Sequence, residues 1–310
     1  LKRYIAKKVA LLVPLLFGIT MITFGLTKAL PGDPVYNLVG ERSSPEIISK
    51  VRKEIGADKG IARQYVGYVS LLLSGEMGRS YYTNRKVLDD IVAKFPNTLL
   101  LALGAMVIAV PPGMLLGLTA ALKKGRLTDR VISALSISLL SVPVFWSGLL
   151  LMLLFGLVLK ILPPSGTGGL RYMILPAITL SLPALGTIAR VTRVSVLEVV
   201  DMAFIRTARA KGITSRRIKA VHIMKNAMIP VVTVIGLDFA SYLNGAVLTE
   251  TIFGWDGIGR FTMEGIIKRD YPVIMGCIIV GTTLFVLSNL VVDILYYYID
   301  PRVRIHGTDR

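Results

Sequence analysis

Cysteine is nearly absent from these 310 residues: Cys277 stands alone, so the chain forms no internal disulfide and no cysteine-based metal cluster. Histidine is scarce as well. His222 and His306 are far apart in basic segments, and His222 reads as a packing or hydrogen-bonding residue rather than a metal ligand. Acidic residues are few, with 19 Asp and Glu against 36 Lys and Arg, for a formal charge of +17. Charged residues make up only 18%, below the roughly 25% of a soluble domain. No G-x-x-x-x-G-K-[ST] phosphate loop is present, which excludes an ATP site of that kind. Ser165-Gly166 and Gly168-Gly169 make a turn and not a nucleotide cradle, and no spacing groups Ser, His and Asp. These absences leave no catalytic residues, no metal site and no cofactor site in the chain.

Apolar residues are plentiful: 53% of the chain, with a mean hydropathy of +0.65. They recur in runs of about twenty residues, each long enough to cross about 30 Å of hydrocarbon as a helix. The pattern predicts an all-α integral membrane protein with six transmembrane helices, at 9–30, 98–122, 131–159, 173–197, 229–252 and 273–299. The first run is too long for a secretory h-region, and Leu30-Pro31 stands where a small-residue cleavage site would be, so it reads as an uncleaved anchor.

The positive charge gathers at the ends of these runs, where it sets orientation, and this argues against a nucleic-acid partner. Lys2, Arg3, Lys7 and Lys8 precede the first run, and Lys123, Lys124, Arg126 and Arg130 follow the second. Arg206, Arg209, Lys211, Arg216, Arg217, Lys219 and Lys225 follow the fourth, and Arg302 and Arg304 lie in the tail. The loop after the third run holds only Lys160 and Arg171. The loop after the fifth offsets Arg260, Lys268 and Arg269 with Asp256, Glu264 and Asp270. The alternation predicts a multi-pass protein of the cytoplasmic membrane with both termini in the cytoplasm. Its parts are then 1–30, the N-terminus and first helix; 31–95, an extracytoplasmic helical insert; 96–299, the membrane core with a cytoplasmic loop at 198–228; and 300–310, a cytoplasmic tail.

In the insert, Tyr68, Leu71 and Leu72 fall at helical spacing within 65–73, and Ser44-Pro45-Glu46 has the form of a helix start. The insert reads either as a packing cap over the spans or as a docking surface. Within the spans, Gly113 with Gly117, and Gly236, Ala240 and Asn244, make small-residue stripes that suit a pore wall or a subunit seam. Pro143, Pro176 and Pro183 are expected to kink their helices. Ionisable residues in the spans are few: Asp238, Arg190, Arg193 and Asp293, the last three placed to snorkel or pair with one another. Asp238, Asn244 and Glu250 are the candidate substrate-path residues.

The loop at 198–228 is the chain's most informative stretch. Phe204, Ala208 and Gly212 are four apart, predicting a helix with an aromatic-tipped small-residue face that could seat in a groove. Arg206 and Arg209 project nearby, Thr207 and Lys211 repeat the spacing, and Gly212, after Ala210 and Lys211, would end the helix. His222, Asn226 and Pro230 lead from the loop into the fifth span.

Taken in order and spacing, short motifs along nearly the whole chain resemble the inner-membrane permeases of binding-protein-dependent ABC importers, in the dipeptide/oligopeptide/nickel branch. They are Pro31-Gly32-Asp33-Pro34, Gly75-Glu76-Met77-Gly78-Arg79-Ser80, Phe95-Pro96-Asn97-Thr98, Ser141 to Trp146, Ala189 to Arg193 and Arg206 to Gly212. They continue with Glu250-Thr251-Ile252-Phe253, Gly257-Ile258-Gly259, Arg269-Asp270-Tyr271-Pro272 and Asp300-Pro301-Arg302. The long segment after the first run is similar to the first of the two permease types that pair in these systems. Arg206 stands where the broad family signature begins with Glu, as in the peptide branch; Ala203 and Phe204 replace an acidic residue and Tyr common there.

The resemblance implies a type I ABC importer permease fold and a non-catalytic subunit supplying half of a path for di- or oligopeptides. Nickel chelates or oligosaccharides are the alternative cargo. It implies a second homologous permease, two cytoplasmic ATPase subunits carrying ATP and Mg, and an extracytoplasmic binding protein as partners, with Phe204 and Arg206 to Gly212 as the ATPase-coupling residues. The rival class is a self-sufficient secondary transporter or channel.

Overall fold

The structure, a computed structural model, describes residues 2–29, 34–39, 43–54 and 56–299, the side chains of 2–9, 27, 29, 34, 37–38 and 295–299 excepted. Pro31-Gly32-Asp33-Pro34, Asp300-Pro301-Arg302, the tail cations and His306 therefore lie outside the described residues, as do the side chains of Lys2, Arg3, Lys7 and Lys8.

The described chain is helical throughout. Its elements are α1 (Lys2–Ala29), α2 (Pro34–Val39), α3 (Pro45–Glu54), α4 (Ile61–Leu73), α5 (Val87–Leu122), α6 (Leu127–Ser141) and α7 (Val144–Leu151). They continue with α8 (Leu170–Val200), α9 (Ala203–Ala210), α10 (Ser215–Arg217), α11 (Met224–Leu243), α12 (Val247–Ile252), α13 (Ile258–Lys268) and α14 (Tyr271–Ile299). Wider π turns extend α7 over Met152–Val158 and join α10 to α11 over Ile218–Ile223.

Four helices are long and apolar enough to cross a membrane: Val87–Leu122, Leu170–Val200, Ser215–Leu243 and Tyr271–Ile294. A fifth crossing is available if Leu127–Ser141 and Val144–Val158, bent by 98°, count as one. Of the six expected spans, four or five are thus met among the described residues. In α1, a helix of 28 residues, the described apolar stretch is Ala10–Leu26. The third expected span is broken, not continuous. Pro143 pushes Val142 out of the helical region, to φ −78° and ψ 125°. The fifth ends at Leu243 rather than at 252, because the chain turns through Gly245 at φ +100° before α12. The second begins eleven residues early, at Val87.

The chain forms two compact units, one from residues 1–98, 244–251 and 256–286, the other from 99–243, 252–255 and 287–310. In the first, Phe24, Tyr68, Tyr271, Ile274, Met275 and Ile279 make one apolar cluster, and Val87, Ile91, Ile258, Val273 and Cys277 another. The expected insert helices are present: α3 starts after Ser44, whose Oγ accepts from the Ile47 N–H at 3.5 Å, and Tyr68 is the buried residue of α4.

Two pairs of distant motifs meet here. Ser80 donates to Asp270 at 2.5 Å, and the Tyr81 N–H donates to the same carboxylate at 3.2 Å. Burial and that carboxylate push the Tyr81 phenol up to about 12. The second meeting caps α13. Its own N-cap residue, Gly257, has no side chain to offer, and the orphan N–H groups are met from elsewhere. Thr98 Oγ1 accepts from the Ile258 N–H at 2.9 Å and donates to Glu250 Oε1 at 2.9 Å. Glu250 Oε2 accepts from the Arg260 N–H at 3.0 Å. Glu250 is fully buried, and burial raises its carboxyl above the ordinary value against the lowering effect of these donors. Only glycine fits at 257, because a Cβ there would press on the Glu250 carboxylate and the Thr98 hydroxyl.

In the second unit α8 is the most enclosed crossing. Gly113 faces Ile188, and Gly117 faces Ala189 and Thr192, while Gly236 faces Val292. The small-residue stripes, left open above between a pore wall and a subunit seam, serve helix packing inside this chain.

Glu250→Ala should lower the thermal unfolding midpoint of the purified chain in detergent, by the equivalent of about 1–3 kcal/mol for a lost cap with its donors stranded. Glu250→Gln, which keeps one acceptor, should cost less. An unchanged midpoint for Glu250→Ala contradicts the capping role.

Candidate functional site

The loop at 198–228 folds as a short helix locked at both ends. The chain leaves α8 at Asp201 and enters α9 through Met202, in extended conformation. At the far end Gly212 adopts φ +72°, a conformation costly for any residue with a Cβ. The Ile213 N–H reaches back to the Ala208 carbonyl at 3.2 Å, and the Gly212 N–H to that of Arg209 at 3.0 Å. Those two bonds are the Schellman pattern, and Ile213 adds its hydrophobic contact by packing on the cluster that holds Ala208.

That cluster fixes α9 to the spans. Ile205 and Ala208 are buried with Val196 and Val199 of α8, Ile218 and Ile223 of the π turn, Ala227 of α11 and Ala121 of α5. The expectation that Ala208 faces a partner's groove is therefore corrected. Ala208 is turned inward, because it shares a face with Ile205, whose larger side chain commands burial. The open face carries Ala203, Arg206, Thr207 and Ala210, with Phe204 exposed on its flank and Arg209 and Lys211 also exposed. Small residues at both ends of that face allow close approach of another backbone. The Thr207 hydroxyl is spent on the Ala203 carbonyl at 3.2 Å, leaving the guanidinium groups as its donors.

All seven cations between Arg206 and Lys225 are exposed and, among the described residues, none makes an ion pair. The arrangement can bind carboxylates or backbone carbonyls on a partner. Among the described residues no cluster of His, Cys, Asp and Glu could hold a metal ion. His222 is half-buried, and its carbonyl accepts from Asn226 Nδ2 at 2.7 Å. Pro230, inside α11, has no N–H to return to the Asn226 carbonyl. These three residues lie along one continuous helix, Ser215–Leu243, which joins the loop to the membrane.

Arg193 finds a carboxylate other than the one expected. Its Nε donates to Asp129 Oδ1 at 2.6 Å and its Nη2 to Oδ2 at 2.9 Å, a two-pronged pairing that also receives the Gly125 N–H at 2.9 Å. Asp129 is buried and sits in the first turn of α6, so the pair ties the basic turn 123–126 to α8. The sequence signal was a single acid within a run of cations, sixty-four positions from its partner.

The three substrate-path candidates separate. Glu250 is fully buried and engaged by the Thr98 hydroxyl and the Arg260 N–H, so in this chain it serves as a cap of α13. Asn244 is exposed. Asp238, half-buried in α11, keeps Oδ2 buried with no hydrogen-bond partner among the described residues. Tyr242, a turn further on, donates to the Leu180 carbonyl at 2.7 Å.

Comparison with known proteins matches residues 113–305 to the binding-protein-dependent transport system inner membrane component family. Residues 1–102 match the N-terminal part of the same transport system's membrane component. The di/tripeptide transport system permease protein DppB of Pseudomonas aeruginosa is 42% identical over 330 residues, covering 97% of this chain and 98% of the relative. The dipeptide transport system permease protein DppB of Escherichia coli is 38% identical over 334 residues, with the same coverage. The glutathione transport system permease protein GsiC of Escherichia coli is 38% identical over 301 residues. Among solved structures, an inward-facing form of the MetNI methionine ABC transporter matches with a TM-score of 0.58 at 16% identity. It covers 68% of this chain and 96% of that one, a likeness of fold.

Asp129→Asn and Arg193→Gln should each lower stability by about 1–3 kcal/mol, between the values for exposed and buried pairs. The double variant should cost less than the sum, read as thermal midpoints in a double-mutant cycle. Strict additivity contradicts the pairing.

Proposed function

This chain belongs to the binding-protein-dependent transport system inner membrane components, and we infer from that membership that it is the permease subunit of an ATP-driven importer of short peptides. The family makes it a non-catalytic, multi-pass inner-membrane subunit. Its relatives of matching length are permeases for dipeptides, di- and tripeptides and glutathione, which supports a peptide of two or three residues as cargo. The chain would supply half of the path and a second, homologous permease the other half, in a type I importer fold of six transmembrane helices with α1 as the first. Two ATPase subunits would act from the cytoplasm and a binding protein would deliver cargo from outside, where 31–95 lies. Both termini would face the cytoplasm. Asp238 and Asn244 would line the path, the Asp238 carboxylate offering an acceptor to a peptide ammonium.

The observation that carries the coupling role is the division of α9 into two faces. One face is fused to α8 and α11 through Ile205 and Ala208; the other presents Arg206 between small residues to solvent. A helix seated in this way transmits a push. When the ATPases close, α9 would move as part of one rigid body with α8 and α11 and switch the path between two packings.

Arg206→Glu with Arg209→Glu should insert normally and leave capture by the binding protein unchanged, while transport is lost. ATPase association should weaken about tenfold or more, for a loss of about 1.4 kcal/mol or more. Co-purification and transport assays read this. Wild-type transport with retained ATPases would overturn the coupling role, and ion-driven flux by the chain reconstituted alone would overturn the importer reading.

A further inference from the structure

The unit formed by 1–98, 244–251 and 256–286 contains a cavity of about 810 Å³, a size suited to a small ligand or headgroup. Its lining is strongly one-signed: Lys28, Lys53, Lys59, Arg63 and Arg79 against the single carboxylate of Glu54. Arg79 donates to the Asn84 carbonyl, while Lys53, Lys59 and Arg63 make no ion pair among the described residues. The α4 wall contributes Tyr68, which is only 8% exposed, with its hydroxyl buried and lacking a partner among the described residues. The cations of the lining thus outnumber its one carboxylate, and the hollow suits an anion.

The position of the cavity narrows the class of that anion. α4 lies against α1: the Tyr65 hydroxyl is 3.0 Å from Thr20 Oγ1, and the Tyr65 ring packs on Phe24 at 5.3 Å and Phe17 at 6.3 Å. From Phe17 to the cavity residue Lys28, α1 rises about 16 Å, close to half the hydrocarbon thickness of a bilayer. With α1 as a membrane helix, α4 would lie beside its C-terminal half. It exposes Ile61, Val66 and Leu73, and α1 exposes Ile22 and Leu26. A cationic hollow flanked by exposed apolar side chains on two helices matches an anion attached to acyl chains.

We propose that this cavity binds the phosphate headgroup of an anionic phospholipid, held by Lys59 and Arg63. The site goes beyond the transport reading. It requires only that α1 lies in a membrane, not that the insert faces a particular side. A bound lipid would tie the insert to the bilayer surface.

Native mass spectrometry tests it, using the delipidated full chain in detergent with equimolar phosphatidylglycerol and phosphatidylcholine. The wild type should retain phosphatidylglycerol in preference. Lys59→Gln and Arg63→Gln should each reduce the preference about fivefold, the effect of one cation near an anionic headgroup. Arg63→Lys should restore most of it. Lys123→Gln with Lys124→Gln should change nothing. Equal retention of the two lipids, or a preference untouched by Lys59→Gln and Arg63→Gln, overturns the proposal. Displacement of phosphatidylglycerol by dialanine also overturns it, because the hollow would then be a peptide carboxylate subsite. Lipid retention is read on the chain alone, so its failure leaves the coupling role standing, and loss of coupling in Arg206→Glu leaves lipid retention unchanged.

Discussion

The burial of Ile205 and Ala208 against Val196, Ile223 and Ala227 is the contact on which the rest of the account depends. A polar, basic loop between two membrane helices would ordinarily be a solvated tether. Here two apolar side chains, one turn apart, weld it to both helices it connects. The Schellman closure at Gly212 returns the chain to that same cluster through Ile213. Because interiors are close-packed and deform little, displacement of α9 is passed to α8 and α11 rather than absorbed. The Asp129–Arg193 pair braces α8 from its other side, tying it to the turn before α6.

The other unit solves a different problem, that of satisfying helix ends where water is scarce. The glycine-bearing segment 257–259 brings backbone close to the side chains of Thr98 and Glu250. Glu250 and Thr98 cap α13 from two separate helices, and Asp270 receives both Ser80 and the Tyr81 N–H. Lys94 pairs with Asp256, and Asn97 donates to the Asp256 carbonyl at 2.7 Å, so one face of α5 holds Asp256 ahead of α13. Motifs scattered along the sequence thus become the fittings of a single scaffold.

Much of this was legible in the sequence, and the failures have physical causes. Composition and run length identified a helical membrane protein, since a crossing demands about twenty apolar residues. Gly212 as the end of α9 followed from its spacing. The facing of α9 did not: periodicity placed Phe204, Ala208 and Gly212 together but could not say that Ile205 would outcompete them for the core. Glu250 was misread because an acid in an apolar run marks either a path or a capped helix, and the donors that decide between them, Thr98 and Arg260, are remote or on the backbone. Apolar runs also hid the breaks at Pro143 and Gly245, since hydropathy counts residues and not backbone direction. The Asp129–Arg193 pair was hidden by sequence separation alone.

The most direct test of the central claim is a cysteine placed on each face of α9, with Cys277 replaced by serine, in the assembled transporter. A short thiol-to-photoactivatable crosslinker attached at Ala210→Cys should join this chain to an ATPase subunit, with a yield that changes on adding ATP. The same reagent at Ile205→Cys, inside the cluster, should give little labelling and no such product. Absence of an ATPase adduct from Ala210→Cys, or an equal adduct from Tyr82→Cys in the insert, would contradict the assignment of α9 as the element that the ATPases grip.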